Sequence, residues 1–454
     1  TTAVNSVQPG DTIRVTANIS SGISIKNKTA SESNPIYIVA ANPQQTTLYS
    51  LTVDNCQGIV VQGFKFGPNT AGVLMKVVNS KYIKILRNYF DHNNISTSQS
   101  TIVTTQASQY IEVAYNLFDR KNVGTVSGSY IKTQYDAPNV TKNMYIHHNH
   151  FKNIVPMPSG DTFDGDSDRE AIVLGISSTQ DIMTDHIIEY NLFEDCDGEN
   201  EIITVKTSRN IIRYNTFKNC LGSVSVRFGT QTEVYGNFFI GVGASASIND
   251  PNYETGGIRV YGSYHKVYNN YMQGLTGTSY RVPLCLDGGD TSDSSGGDGH
   301  ERPTYCEFTN NTIVNCAWGI GVGTHYSLSP QNCKISNNII SNSQNQLFVL
   351  TRCDSTNTFE GNIAWPTGSA SLGTSKTQNE IWQTNPYLTT VGDLQKLTST
   401  SPAINYSKGS YTYINDDMDG QSRMSVNDAG ADEYSTAPVT RRPLTSADVG
   451  YNAP

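Results

Sequence analysis

The sequence predicts an all-β chain: a single right-handed parallel β-helix, a solenoid finished by terminal caps. Three observations predict it. A short element recurs ten times, its closest copies stand 22 and 24 residues apart, and the composition suits short strands joined by polar turns. Hydrophobic residues make up 37% of the 454 and charged residues only 16%, while Gly (38) and Tyr (26) are abundant. Helical bundles draw instead on Ala, Glu, Lys and Leu.

The element reads as alternating apolar residues, then Asn, one variable residue and usually Phe. It ends at Phe90, Phe118, Phe151, Phe193, Phe217, Phe239 and Met272, with weaker copies ending at Ile313, Ile340 and Ala364. Its asparagines are Asn88, Asn116, Asn149, Asn191, Asn215, Asn237, Asn270, Asn311, Asn338 and Asn362, spaced by 28, 33, 42, 24, 22, 33, 41, 27 and 24 residues. Repeats of roughly 20–50 residues signal solenoids or propellers, and a propeller blade would need about 40–45 at every step. Leucine-rich repeats have similar periods, but their Leu spacing and helical segment are missing. Each coil of a solenoid buries its inward residues only against its neighbours. The repeated Asn is therefore predicted as structural, at a bend where it adopts the left-handed conformation and bonds the backbone. The surplus residues of the longest steps are predicted loops, which tend to gather on one binding face.

Residues 1–400 are predicted to form the β-helix, and 401–454, where the pattern lapses, a C-terminal capping segment of the same domain. No apolar stretch approaches the roughly 18 residues of a membrane helix. Thr1-Thr2-Ala3-Val4 has neither a charged nor an apolar leader region, so a secreted chain with its signal peptide already removed is expected. Eight cysteines form no CxxC pair; buried free thiols are the expected state, with a disulfide as the alternative. A net charge of −9 argues against nucleic acid as partner. An acidic protein still binds an acidic polymer if its few cations gather in one cleft. A monomer is expected.

The densest polar cluster spans three segments: Ser167–Gly175 (SDREAIVLG), Gly198–Lys206 (GENEIITVK) and Ser223–Gly229 (SVSVRFG). Glu199 and Glu201, two apart, are predicted to share one strand face. Lys206 and Arg227 are 21 residues apart, about one coil, which predicts one above the other at roughly 4.8 Å per rung. Glu170 belongs to the preceding coil.

These segments resemble polysaccharide lyase family 6, the family of alginate lyases and chondroitinase B. The likeness runs through most of the chain. It rests on "ENEIITVKTSRNIIRYNTF", "TGGIRVYGSYHKVYNNYM" (Thr255–Met272) and "DAGADEYSTAPVTRRPLTSADVG" (Asp428–Gly450). The resemblance implies cleavage of an acidic, uronate-containing polysaccharide by β-elimination, with alginate first and dermatan sulfate second. It places Lys206 on the catalytic base, Arg227 on the proposed acid, and Glu199 and Glu201 on calcium ligands. Arg259, Tyr261 and Arg281 fall on substrate-binding positions, Tyr261 as a ring to stack on a sugar. Two departures stand out. Where the family often has an Asn calcium ligand this chain has Ser167, flanked by Asp166 and Asp168, so Ser167 and Asp168 complete the expected metal set. The family's Arg-His-Gly is Arg227-Phe228-Gly229 here.

The chemistry needs these groups. Removing the C5 proton of a uronate requires its carboxylate charge to be neutralised, and calcium, with 6–8 oxygen ligands, suits that task. A lysine base must give up its own proton. Arg227 nearby favours the neutral amine, two glutamates oppose it, and a calcium ion on the glutamates removes the conflict. Guanidinium does not readily lose a proton, so Arg227 is expected to stabilise the departing oxygen. Two rivals differ in kind. A glycoside hydrolase of the same fold would use paired aspartates and water, and its usual Gly-Asp-Asp and Gly-His-Gly elements are absent. A non-catalytic carbohydrate-binding β-helix needs no base at all.

Overall fold

The recurring element folds as two short parallel-sheet strands meeting at a bend, as in Lys81–Leu86 and Tyr89–Asp91 with Arg87 and Asn88 between them. The computed structural model describes residues 4, 6–133, 139–156, 168–241, 254–292, 297–342 and 344–454. Its chain divides into two compact units, Thr1–Ile211 with Leu444–Pro454, and Ile212–Pro443. In both the chain is a parallel β-helix, as the repeat predicts. Among the described residues no helix is long and apolar enough to cross a membrane.

In the first unit, strands Ile36–Ala40, Gln57–Gln62, Lys81–Leu86, Gln109–Ala114 and Lys142–His147 pair in succession, all parallel. Alternation turns one set of side chains inward: Val61, Ile85, Val113 and Ile146 stand in register and are fully buried. The phenylalanine that closes each repeat does the same on the next sheet. Phe66, Phe90, Phe118, Phe151 and Phe193 stack at 5.0, 4.9, 4.6 and 4.8 Å between ring centroids. A further row, Val73–Val78, Ser100–Thr105, Ile131–Thr133, Ile172–Gly175 and Glu201–Lys206, carries the polar cluster.

The second unit repeats the plan. Strands Gly222–Val226, Thr255–Val260, Leu284–Leu286, Ile320–Val322 and Phe348–Leu350 pair in order. The closing positions Phe217, Phe239, Met272, Ile313, Ile340 and Ala364 again align in register.

The repeat asparagines form a continuous ladder within each unit. In the first, the backbone N–H and the Nδ2 of Asn88 both donate to Asn116 Oδ1, at 2.9 and 3.0 Å. Asn116 does the same to Asn149, and Asn149 to Asn191. In the second unit the chain runs Asn215, Asn237, Asn270, Asn311, Asn338, Asn362, each link a pair of bonds between 3.0 and 3.1 Å. All of these asparagines are buried. One expectation is corrected. The left-handed residue of the bend is the one before the Asn: Arg87, Tyr115, His148, Tyr190, Tyr214, Asn269, Asn310 and Asn337 have φ between 52° and 58°. The ladder Asn must aim its amide inward along the coil axis, so the bend is made by its neighbour.

The eight cysteines are all free, and every one except Cys353 is buried, which bears out the thiol expectation. The predicted terminal cap behaves differently. Residues 401–443 run along the flank of the second unit, across successive coils. There Asn310 and Asn337 donate to the carbonyls of Asp428 and Lys408, both at 2.9 Å, and Arg423 Nη2 to Asn269 Oδ1 at 2.7 Å. The left-handed asparagines point outward and give that segment its donors. Residues 444–454 lie in the first unit, where Arg87 Nη1 donates to the Tyr451 and Ala453 carbonyls.

A buried Asn with every amide group bonded is costly to lose. Asn237 donates Nδ2 to Ile212 O at 3.0 Å and to Asn270, and accepts twice from Asn215. Asn237→Ala is expected to destabilise the chain by about 2–4 kcal/mol, because several buried partners lose their bonds at once. Urea unfolding followed by circular dichroism measures it; a loss below about 1 kcal/mol would show that the ladder is decorative.

Candidate active site

Glu201–Lys206 is a strand whose Ile203 and Val205 face the core, leaving Thr204 and Lys206 together on the other face. That face continues backward in register through Val173 and Lys132. Glu170 enters from the segment just before the preceding strand, Glu199 from the bend just before this one. One carboxylate oxygen each of Glu170, Glu199 and Glu201 lies within 4.8 Å of the others. The two glutamates thus converge through a bend and not through strand alternation, since Glu199 lies outside the strand.

Thr204 ties this group to the lysine. Its hydroxyl lies 2.5 Å from Glu201 Oε2 and 3.3 Å from Glu170 Oε1, two residues before Lys206 on the same face. Ser129 Oγ donates to Glu170 Oε2 at 3.1 Å. Burial pushes the Glu170 carboxyl up, and the charges of Glu201 and Asp168 push the same way. Three carboxylates this close, two of them buried, are the all-oxygen, high-charge donor set that a hard cation such as calcium takes. The residues present therefore fit the ion that the family resemblance implies.

Two other members of the expected metal set stand apart. Ser167 lies outside the described residues. Asp168 is exposed, and its Oδ1 is 3.5 Å from Lys132 Nζ; it is not one of the three converging carboxylates. Glu170, which the sequence places in the preceding coil without a role, takes that third position. Beside it Arg169 is fully buried, and its guanidinium donates to the carbonyls of Lys121, Val123, Val126 and Val155. That clamp holds the surrounding loops against the segment that presents Glu170.

In the second unit, Arg227 lies just beyond strand Gly222–Val226 and Arg259 within Thr255–Val260. Arg227 sits over the Phe228 ring at 4.1 Å and donates Nη2 to the Asp298 carbonyl at 2.9 Å. Arg259 is buried, donates to Ser225 Oγ at 3.3 Å, and lies over the rings of Tyr261 and Tyr280 at 5.5 and 5.0 Å. Arg281 lies 3.3 Å from the Glu254 carboxylate, which answers its charge.

Tyr261 corrects an expectation. It is 0% exposed, its hydroxyl donates to Asp287 Oδ2 at 2.6 Å, and Arg227 and Arg259 cover its ring. A ring so enclosed cannot stack on a sugar; it positions the guanidiniums. The sequence also missed His300. Its ring stacks on Tyr326 at 4.1 Å, with Nδ1 3.0 Å from Asp290 Oδ2 and Nε2 3.0 Å from the Tyr326 hydroxyl. Asp290 can only accept, so Nδ1 carries the proton and Tyr326 donates to Nε2. Burial first, then the positive charge of Arg227, holds His300 down at about 4. No repeat or motif marks His300, which lies in a glycine-rich loop.

A parallel β-helix bearing a carboxylate cluster beside a lysine, and aromatic-backed arginines on its coils, is the class that these observations define. The family model described as Chondroitinase B matches residues 1–324, and the chain belongs to that family. The membership inferred from the motifs is thereby borne out. Solved structures agree in fold. A variant of the PL6 family alginate lyase AlyGC superimposes with a TM-score of 0.73 at 21% identity, covering 99% of this chain and 58% of that one. A PL6 polysaccharide lyase from Pseudopedobacter saltans gives 0.67 at 20% identity, covering 99% and 96%. A PL6 alginate lyase in complex with a trisaccharide gives 0.66 at 19%, covering 88% and 87%. This chain thus spans little more than half the length of AlyGC. No curated protein matches the sequence.

The Arg227–His300 coupling is measurable. In carbon-detected titrations of labelled histidine, His300 is expected to titrate near 4 and Arg227→Gln to raise that midpoint toward the ordinary value of about 6.5. A midpoint unmoved by the substitution would place Arg227 away from the imidazole.

Proposed function

We propose that the chain is a secreted polysaccharide lyase that cleaves alginate by β-elimination and leaves an unsaturated sugar on the new chain end. The observation that carries this reading is the carboxylate cluster Glu170–Glu199–Glu201 linked through Thr204 to the face that bears Lys206, in a chain of the chondroitinase B family. Of the three solved structures compared above, two are named as alginate lyases.

The roles follow from the chemistry. Lys206 takes the C5 proton of the uronate. Arg227 stabilises charge developing on the 4-O-glycosidic oxygen, its guanidinium staying protonated throughout, and water supplies the proton that the departing oxygen takes up. Arg259, held by Ser225 and backed by two tyrosine rings, orients a carboxylate of the polymer. Glu170, Glu199 and Glu201 would hold calcium, which supplies charge neutralisation at the substrate carboxylate. Dermatan sulfate is the second reading, favoured by the name of the matching family; both polymers present a uronate to the same groups.

Absorbance near 230 nm reads the unsaturated product. It is expected to rise with alginate and to stay flat with a neutral glucan. Lys206→Ala is expected to abolish it with an unchanged melting temperature, since general base catalysis contributes about 10²–10⁴-fold. Activity within tenfold of wild type would remove Lys206 from the reaction, and a rise with dermatan sulfate alone would transfer the reading to that polymer.

Chelation tests the metal. EDTA is expected to lower turnover at least tenfold and calcium to restore it. Magnesium should not, because it demands tighter octahedral geometry. Glu170→Gln is expected to raise the calcium concentration needed for half-activity. Full turnover in metal-free enzyme would leave the three glutamates without this role.

A further inference from the structure

A second group of carboxylates lies far along the sequence from the glutamates, in the segment Asn415-Asp416-Asp417-Met418-Asp419-Gly420 and at Asp432. Met418 and Ala431 pack into a buried cluster with Phe238, Tyr271, Val314 and Leu394. That packing fixes the residues beside them, Asp417, Asp419 and Asp432, against the coils of the second unit. One oxygen of each of the three lies within 4.8 Å of the others. They are 0%, 2% and 6% exposed.

Their hydrogen bonds are unequal. Asp417 Oδ1 accepts the N–H groups of Asp419 and Gln421 at 2.9 and 2.8 Å, and its Oδ2 accepts that of Glu433 at 3.0 Å. Asp432 Oδ2 accepts the N–H of Leu397 at 2.7 Å. Asp419 Oδ2 pairs with Lys396, but its Oδ1, buried, meets no hydrogen-bond donor among the described residues. Charge is short as well. Lys396 answers one of the three carboxylates, while the neighbouring Arg423 is paired with buried Glu433. A buried carboxylate oxygen that meets no donor is among the costlier arrangements in a protein.

We propose that Asp417, Asp419 and Asp432 bind a hard divalent cation, calcium in preference to magnesium, that fastens the C-terminal segment to the coils of the second unit. A divalent ion supplies the two missing positive charges and a partner for Asp419 Oδ1. The donors are all oxygen, which excludes soft metals, and calcium tolerates irregular carboxylate geometry where magnesium does not. This site is independent of the proposed lyase chemistry, and its readouts are ion content and stability.

The test uses the full chain carrying Glu199→Gln and Glu201→Gln, so that calcium at the other centre does not count. After dialysis against micromolar calcium at pH 8, elemental analysis is expected to find one calcium per chain. EDTA should lower the melting temperature, and calcium, not magnesium, should restore it. Adding Asp419→Asn is expected to weaken calcium binding at least tenfold. Because that variant risks misfolding, Lys396→Gln provides the opposite arm: removing the competing ammonium should tighten calcium severalfold. A chain that binds no calcium, or binds it with an affinity indifferent to both Asp419→Asn and Lys396→Gln, would overturn the site.

Discussion

The molecule depends on one buried interaction repeated coil after coil: an asparagine carbonyl accepting both the backbone N–H and the side-chain amide of the asparagine before it. Each such Asn also donates to main-chain carbonyls, as Asn116 does to Ile85 and Ala114. The bend therefore leaves no buried polar group unanswered, and the chain can turn a corner inside the protein where water would otherwise be needed. The next inward position is the stacked Phe, so every bend is followed at once by apolar contact. Loops of different length leave between bends without disturbing this register, which is why spacings from 22 to 42 residues coexist in one fold.

That regularity determines how charge can be placed. Outward positions on a stacked sheet line up at one rung per coil, so groups distant in sequence become neighbours, as Lys84 and Glu112 do. The cluster Glu170–Glu199–Glu201 uses the turns at the strand starts, where the backbone is free of the ladder and acidic side chains can converge. The arginines are treated differently. Arg227 and Arg259 lie against the rings of Phe228, Tyr261 and Tyr280, which support a cation by cation–π attraction. In a chain of net charge −9, such local support is what lets cations gather against the overall field.

Tyr261 illustrates the same economy. Its hydroxyl is anchored on Asp287, which also accepts the N–H groups of Gly288 and His325. One buried carboxylate thus fixes a ring under two guanidiniums and the loop that carries Tyr326 beside His300. Packing against these rings adds to the hydrogen bonds that Arg227 and Arg259 make to Asp298 O and Ser225 Oγ.

The amino-acid order alone determined the solenoid, its inward rows and its family, because these follow from local periodicity and from motifs read in sequence. Asn88 through Asn362 stand at the bends, and Phe90 through Ala364 at the inward positions, that their spacing predicts. The convergence of Glu199 and Glu201 was legible for the same reason: they stand two residues apart in one motif, which also carries Lys206. Tertiary structure decided the rest. Glu170 joins the glutamates, Asp168 turns to Lys132, Tyr261 is sealed beneath the arginines, and His300 is brought to Tyr326 by a glycine-rich loop. The bend conformation also passed from the Asn to the residue before it, since a side chain bonding inward leaves the turning to its neighbour. Each of these depends on which side chain fills a given space once coils stack. Such contacts join residues tens of positions apart by packing, and no local pattern of residues encodes them.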